Sequence, residues 1–256
     1  MVHHSAFDHL PKLITLNLAH NLVERLEPHA FRWLPNLLKI ELQSNRLKTF
    51  SWDAVANCTN PFMAATLNLS GNHLVSLLAG DVRTRSSVHF KLVDLSHNHL
   101  SSFPPPEFLS VIESHSLKKL ILRHNRIVTL PPAILSVRCP HLQVLDLHHN
   151  HIELVDRTSL SGGQHIQQID LSYNRIEALP EQWLARLLTL RMVDLSANRL
   201  RALPRNLFEG TSIDTLNLAR NHLSTFPVGC LTTISSTLAH LDLSHNQVKF
   251  QIKFVK

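Results

Sequence analysis

Residues 142–152 read LQVLDLHHNHI, from Leu142 to Ile152. Apolar side chains stand at Leu142, Leu145, Leu147 and Ile152, and an asparagine stands at Asn150. Leu145 and Leu147 are two residues apart, so in an extended strand they point to one side while Asp146 points to the other. Ten segments of this kind run along the 256-residue chain, aligned on Asn21, Asn45, Asn72, Asn98, Asn125, Asn150, Asn174, Asn198, Asn221 and Asn246. Successive gaps are 24, 27, 26, 27, 25, 24, 24, 23 and 25 residues. The three apolar positions ahead of the asparagine hold every time, from Leu13, Leu16 and Leu18 to Leu238, Leu241 and Leu243. The apolar content, 44%, is enough to fill a continuous core.

One such segment is too small to fold alone, so the copies must stack and share their core. The reading is therefore an α/β solenoid with one short parallel strand per repeat on a concave face. Ten strands about 4.8 Å apart make a ribbon roughly 45 Å long. Each asparagine ends its strand where the chain turns, and its amide can satisfy backbone groups that the turn would leave buried and unpaired. Five residues on comes a second apolar residue, such as Phe50, Leu77, Phe103, Leu130, Leu179, Leu203 or Phe226, and proline often follows it. A third lies ten residues on, as at Phe31, Val55, Phe108, Leu135, Leu184 and Phe208. Short helices or irregular turns on a convex side account for both, and proline fits there because no ladder hydrogen bond is needed. The insertions after the second anchor, NCTNPFMA, RTRSSVHF and VIESHSL, read as convex connections.

The chain divides into residues 1–12, the tail of an incomplete repeat, residues 13–248, the array of ten repeats, and residues 249–256, an atypical tail. The expectation is an excerpt of a longer array or a mispredicted gene product, with no apolar run fit for a signal peptide or a membrane span.

Net charge is +6, with a pI near 9.5. Lys and Arg are nonetheless scattered, without the basic tract that a phosphate backbone requires, so no nucleic-acid partner is expected. No nucleophile–base pair, phosphate-cradling glycine loop or carboxylate pair stands out among these residues, and the reading is of a non-catalytic chain without a cofactor or a resident metal. Cys58, Cys139 and Cys230 fall three and four repeats apart on the convex side. At the strand spacing, Cys58 and Cys139 are about 15 Å apart, beyond the roughly 7 Å that a disulfide spans, so buried free thiols are expected.

Specificity must lie between the motif positions. The residue between the two strand leucines reads Asn17, Glu41, Asn68, Asp94, Ile121, Asp146, Asp170, Asp194, Asn217 and Asp242. This is either an acidic stripe for a basic partner or calcium, or a local requirement of the turn, and the local requirement carries more weight. Of 19 histidines, many flank the asparagine, with His148, His149 and His151 in one repeat beside His124 in the one before. A metal site or proton-sensitive surface is one reading, and a generic polar rim is the favoured one. The candidate protein-binding patch on the concave face comprises Lys119, Arg123, His124, Val144, Asp146, His148, His149, Gln168, Asp170, Tyr173 and Asp194. Asn57 and Asn68 head glycosylation sequons.

The full repeat, LxxLxLxxNxLxxLP followed by an apolar anchor, resembles the extracellular type of leucine-rich repeat, as in LITLNLAHNLVERLEPHAFRWL and LRMVDLSANRLRALPRNLF. The resemblance implies a horseshoe-shaped solenoid that binds protein through its concave face. Among such arrays the chain is most similar to the chaoptin family of lipid-anchored photoreceptor adhesion proteins. That likeness implies a cell-surface adhesion or receptor role, homophilic contact, and membrane association only through parts absent from this chain. The alternative is an intracellular scaffold or regulator of a signalling enzyme, for which the LPPAIL segment at Leu130–Leu135 speaks.

Overall fold

The computed structural model describes residues 1–8, 10–55, 58, 65–81, 89–112, 116–135, 139 and 141–249. Ten strands form one parallel sheet, each beside the strand of the next repeat. In chain order they are Thr15–Asn17, Lys39–Glu41, Ala65–Asn68, Phe90–Asp94, Lys119–Ile121, Val144–Asp146, Gln168–Asp170, Met192–Asp194, Thr215–Asn217 and His240–Asp242. Register is kept residue for residue through the centre: Leu120 opposes Leu145, Leu145 opposes Ile169, and Ile169 opposes Val193. A slip of one residue would turn every strand leucine out of the core, so the apolar pattern itself fixes this register.

Leu142, Leu145, Leu147 and Ile152 are all fully buried, as are their counterparts in the neighbouring repeats. Burying a leucine side chain contributes about 2 kcal/mol, and a repeat gains this only when the next repeat covers it. The early repeats add an aromatic cluster. The Trp52 ring stacks on Phe108 at 4.7 Å and Phe90 at 5.7 Å, meets Phe50 edge-on, and its indole N–H donates to the Phe108 carbonyl at 2.8 Å.

The side opposite the sheet is mostly turns. Helical turns occur at Pro106–Leu109 and Val228–Leu231, with 3-10 turns at Trp52–Val55 and Thr232–Ile234. Where the sequence predicts short helices or irregular turns, two outer strand pairs also form: Thr49–Ser51 with Ser76–Leu78, and Thr129–Leu130 with Leu154–Val155. The first pair lies in repeats without a proline after the anchor. The second stops at Pro131, which has no N–H to continue it. The NCTNPFMA and RTRSSVHF insertions fall largely, residues 113–115 of VIESHSL and residues 250–256 wholly, outside the described residues. Before the first ladder strand, Val2 pairs with Leu26 and Phe7 stacks on Phe31 at 5.8 Å.

Candidate functional site on the concave rim

Three columns of side chains cross the repeats next to one another. The innermost is the asparagine ladder. Asn150 donates to the carbonyls of Leu122 at 3.0 Å and Leu147 at 2.9 Å, and its Oδ1 accepts the Ile127 N–H at 3.0 Å. One amide thus ties its own turn to that of the preceding repeat. The same arrangement recurs from Asn45 to Asn246. Asn21 is the first of the ten. It is exposed and donates to its own repeat alone, at Leu18 and Ala19.

The second column is the stripe between the strand leucines. In eight of its ten positions the side-chain oxygen accepts the backbone N–H two residues on, as Asp94 does from Ser96 at 2.9 Å and Asp194 from Ser196 at 2.8 Å. Glu41 and Ile121 are the exceptions. Glu41 pairs with Lys39 and accepts from the Asn68 amide at 3.2 Å. The stripe is therefore a ladder of Asx turns, which explains the preference for Asp and Asn over Glu. The local requirement accounts for the stripe, and its carboxylates are engaged within the fold. Asp194 also accepts from the Asn217 amide at 2.9 Å. Burial raises the Asp170 pKa; its hydrogen bonds to Ser172 work against that, and Asp194 and Asp146 add to the rise.

The third column is the residue just before each ladder asparagine: His20, Ser44, Gly71, His97, His124, His149, Tyr173, Ala197, Arg220 and His245. All ten have left-handed backbone, with φ between 51° and 62°. The twist ends the strand while the N–H still reaches the next repeat, as from His124 to the His148 carbonyl at 3.0 Å. Histidine is among the residues that tolerate this conformation, whereas β-branched residues do not, and none occurs in the column. Stacking of the repeats then stacks the rings. His97 lies on His124 at 4.2 Å, His124 on His149 at 4.4 Å, and His149 on Tyr173 at 4.2 Å. His148 approaches His124 and His149 edge-on, each at 5.1 Å. Its Nδ1 is 2.8 Å from the Asp146 Oδ1 and 3.8 Å from the Asp170 Oδ2.

The sequence-derived patch occupies adjoining positions in the fold. Lys119, Val144 and Gln168 form one row across neighbouring strands, and Asp146, Asp170 and Asp194 form the next. Arg123 and His148 share the position after that row, followed by His124, His149 and Tyr173. Exposed Met192 continues the first row beside Gln168, and His97 completes the ring stack; sequence reasoning passed over both. The repeat numbering that selected Gln168 would have selected Met192 too. His151, grouped with His148 and His149 in sequence, is outside the set of convergent ring nitrogens, which is His124, His148 and His149. Burial lowers the His124 pKa to about 4, helped by His97, His149, His148 and Arg123 nearby. His149, though exposed, is lowered too, first by partial desolvation and then by His148.

Asn57 lies outside the described residues. On the concave strand, the Asn68 Nδ2, where a glycan would attach, donates to Glu41, and its Oδ1 accepts from the Ser70 N–H at 3.0 Å and hydroxyl at 2.7 Å. Cys58, Cys139 and Cys230 are buried free thiols. Burial pushes the first two up to about 12 and Cys230 to about 11.

The pattern of the family described as "Leucine rich repeat" matches residues 1–47, 115–176, 140–200 and 189–248, and a second leucine-rich repeat pattern matches 89–111. The chain belongs to the leucine-rich repeat family. Mouse Podocan-like protein 1 is 36% identical over 157 residues, which is 60% of this chain and 25% of that protein. Mouse Toll-like receptor 9 is 30% identical over 145 residues, 56% of this chain and 13% of the receptor. Chicken Lumican is 29% identical over 153 residues, 59% of this chain and 41% of Lumican. Each match thus takes in less than half of the relative. Among solved structures, the TLR13–ssRNA13 complex superposes with a TM-score of 0.82 at 24% identity, covering 95% of this chain and 34% of that one. The Drosophila Toll–Spatzle complex gives 0.74 at 23%, covering 99% and 33%. These two likenesses establish the leucine-rich repeat fold of the array.

Proposed function

We propose that this leucine-rich repeat array is a non-catalytic protein-recognition module of an extracellular or cell-surface protein, and that it binds through the concave rim between Lys119 and Asp194. The observation that carries this reading is the division of labour across the sheet. The ladder and the Asx turns consume the repeated polar groups, while Lys119, Val144, Gln168 and Met192 stand in one row, half-exposed or exposed and different in every repeat. A surface that changes from repeat to repeat on a rigid ladder is suited to recognising one partner.

A receptor among the relatives and a protein complex among the solved structures support the same class. One of the solved structures is a complex with RNA. Here six of the ten stripe residues are carboxylates, which repel a phosphate backbone, and a protein partner fits better. No helix among the described residues is long and apolar enough to cross a membrane. The chaoptin resemblance makes a second copy of the array the first partner to test.

The test is aggregation of beads coated with the chain. Lys119→Glu, Gln168→Glu and Met192→Glu together abolish aggregation on this reading, and Arg157→Glu with Arg205→Glu on the outer side leaves it intact. Wild-type beads that stay dispersed overturn the homophilic part. Loss only through the outer pair overturns the concave assignment.

A further inference from the structure

We propose that His124, His148 and His149 form a binding site for one divalent transition-metal ion of the zinc or copper class, with Asp146 as the positioning residue for His148. The three side chains each offer a ring nitrogen, and these nitrogens lie within 4.8 Å of one another. Imidazole is the preferred donor for such ions, with metal–nitrogen distances of about 2.0–2.1 Å in zinc sites. Closing on an ion at that distance needs the nitrogens to draw in by about an ångström. The side chains are half-buried or exposed, and closing on an ion requires the His124 and His149 rings to turn out of their parallel stack.

Their backbones hold still. His124 and His149 occupy the same left-handed position of consecutive repeats, with φ of 53° and 51°, and the outer rings of the stack, His97 and Tyr173, brace them from either side. His148 comes in at 77° and 73° to the two stacked rings, so its ring lies in a different plane from theirs.

The hydrogen bonding of His148 carries the inference further. Its Nδ1 lies 2.8 Å from the Asp146 carboxylate, which accepts the ring proton there and leaves Nε2 with its lone pair as the donor to a metal. A carboxylate behind a ligating imidazole fixes the tautomer and raises the ring's basicity. Asp146 is itself fixed, because the same oxygen accepts the His148 backbone N–H at 3.2 Å. The Asp170 carboxylate, 3.8 Å from that Nδ1, adds negative charge that offsets neighbouring Arg123. Three imidazoles leave the fourth position of a tetrahedral ion to water or an outside donor.

Calorimetric titration of the chelator-stripped full chain with Zn²⁺ and separately with Cu²⁺ tests this. The expected result is one ion per chain for at least one of the two metals. The variants are chosen to fold. Serine occupies the His148 position in five other repeats, at Ser70, Ser96, Ser172, Ser196 and Ser244, and alanine occupies the His149 position at Ala197. His148→Ser, His149→Ala and His124→Ala should each weaken binding at least tenfold with an unchanged circular-dichroism spectrum. Asp146→Asn, which keeps the Asx turn, should weaken it by about tenfold. His151→Ala and His222→Ala should leave it unchanged. Absence of heat with both metals overturns the proposal. So does binding that survives His148→Ser and His124→Ala combined, or stoichiometry above one shared with His97 or His222. Full affinity in Asp146→Asn removes the positioning role.

Discussion

Asn150 and His149 are neighbours in the chain and opposites in the fold. The asparagine is 4% exposed and joins two repeats through hydrogen bonds to backbone; the histidine beside it is exposed and touches mainly other rings. Both columns repeat because the solenoid repeats. The asparagine column cannot vary, since its partners are buried backbone groups that have no other source of hydrogen bonds. Beside it, the left-handed column varies freely within one limit, the backbone angle. The comparison teaches that periodicity marks structure, and that recognition is found where the period holds the backbone but releases the side chain.

The largest expected effect breaks the buried column. Asn150→Ala strands the Ile127 N–H and the Leu122 and Leu147 carbonyls, and should cost about 3–5 kcal/mol in urea denaturation, or on the order of 10 °C in thermal midpoint. A loss below ~1 kcal/mol would show that water satisfies these groups. Next comes the backbone limit of the neighbouring column. His149→Val forces a β-branched residue to positive φ and should destabilise by about 1–2 kcal/mol, whereas His149→Gly should be near neutral. Equal effects for the pair would refute the left-handed requirement.

The Asx turns give a smaller effect. Asp94→Ala should cost about 1 kcal/mol, as for loss of a side-chain cap, while Asp94→Asn should be silent. If Asn behaves like Ala, the charge and not the turn is what matters at that position. Asn21→Ala sharpens the first comparison, because the same residue type, exposed and bonded within its own turn, should cost less than about 1 kcal/mol. Smallest of all is the response of the core to a thiol reagent at pH 8. Cys58, Cys139 and Cys230, with thiols pushed up to about 12, 12 and 11 by burial, should stay unmodified in the native chain and react in denaturant. Rapid native labelling would mean that the convex side opens.

The register of the sheet was legible because a strand exposes its period directly: Leu145 and Leu147 must share a face, and ten copies leave one way to stack. The Asx turns were half legible. Asp and Asn dominate the stripe, yet only the 2.8–3.2 Å contacts separate a turn requirement from a binding surface. The left-handed column left a signal that went unread, the glycine at Gly71 together with the absence of valine, isoleucine and threonine. The outer strand pairs at Thr49–Ser51 and Thr129–Leu130 were not legible, since two or three residues carry no period. The convergence of His124, His148 and His149 without His151 was beyond reach for a related reason. Residues 149 and 151 lie on either side of a turn, and distance along the chain says nothing about distance across it.

By itself, the sequence determined the repeat, its number, the strands, the core and the asparagine ladder, because each of these follows from side-chain period and from the hydrogen bonds a buried backbone must make. Only the tertiary structure decided what the remaining polar residues do. The turn at the strand end makes Asp146 a cap and a partner of His148, and stacking at about 4.8 Å per repeat brings histidines 25 residues apart into one stack.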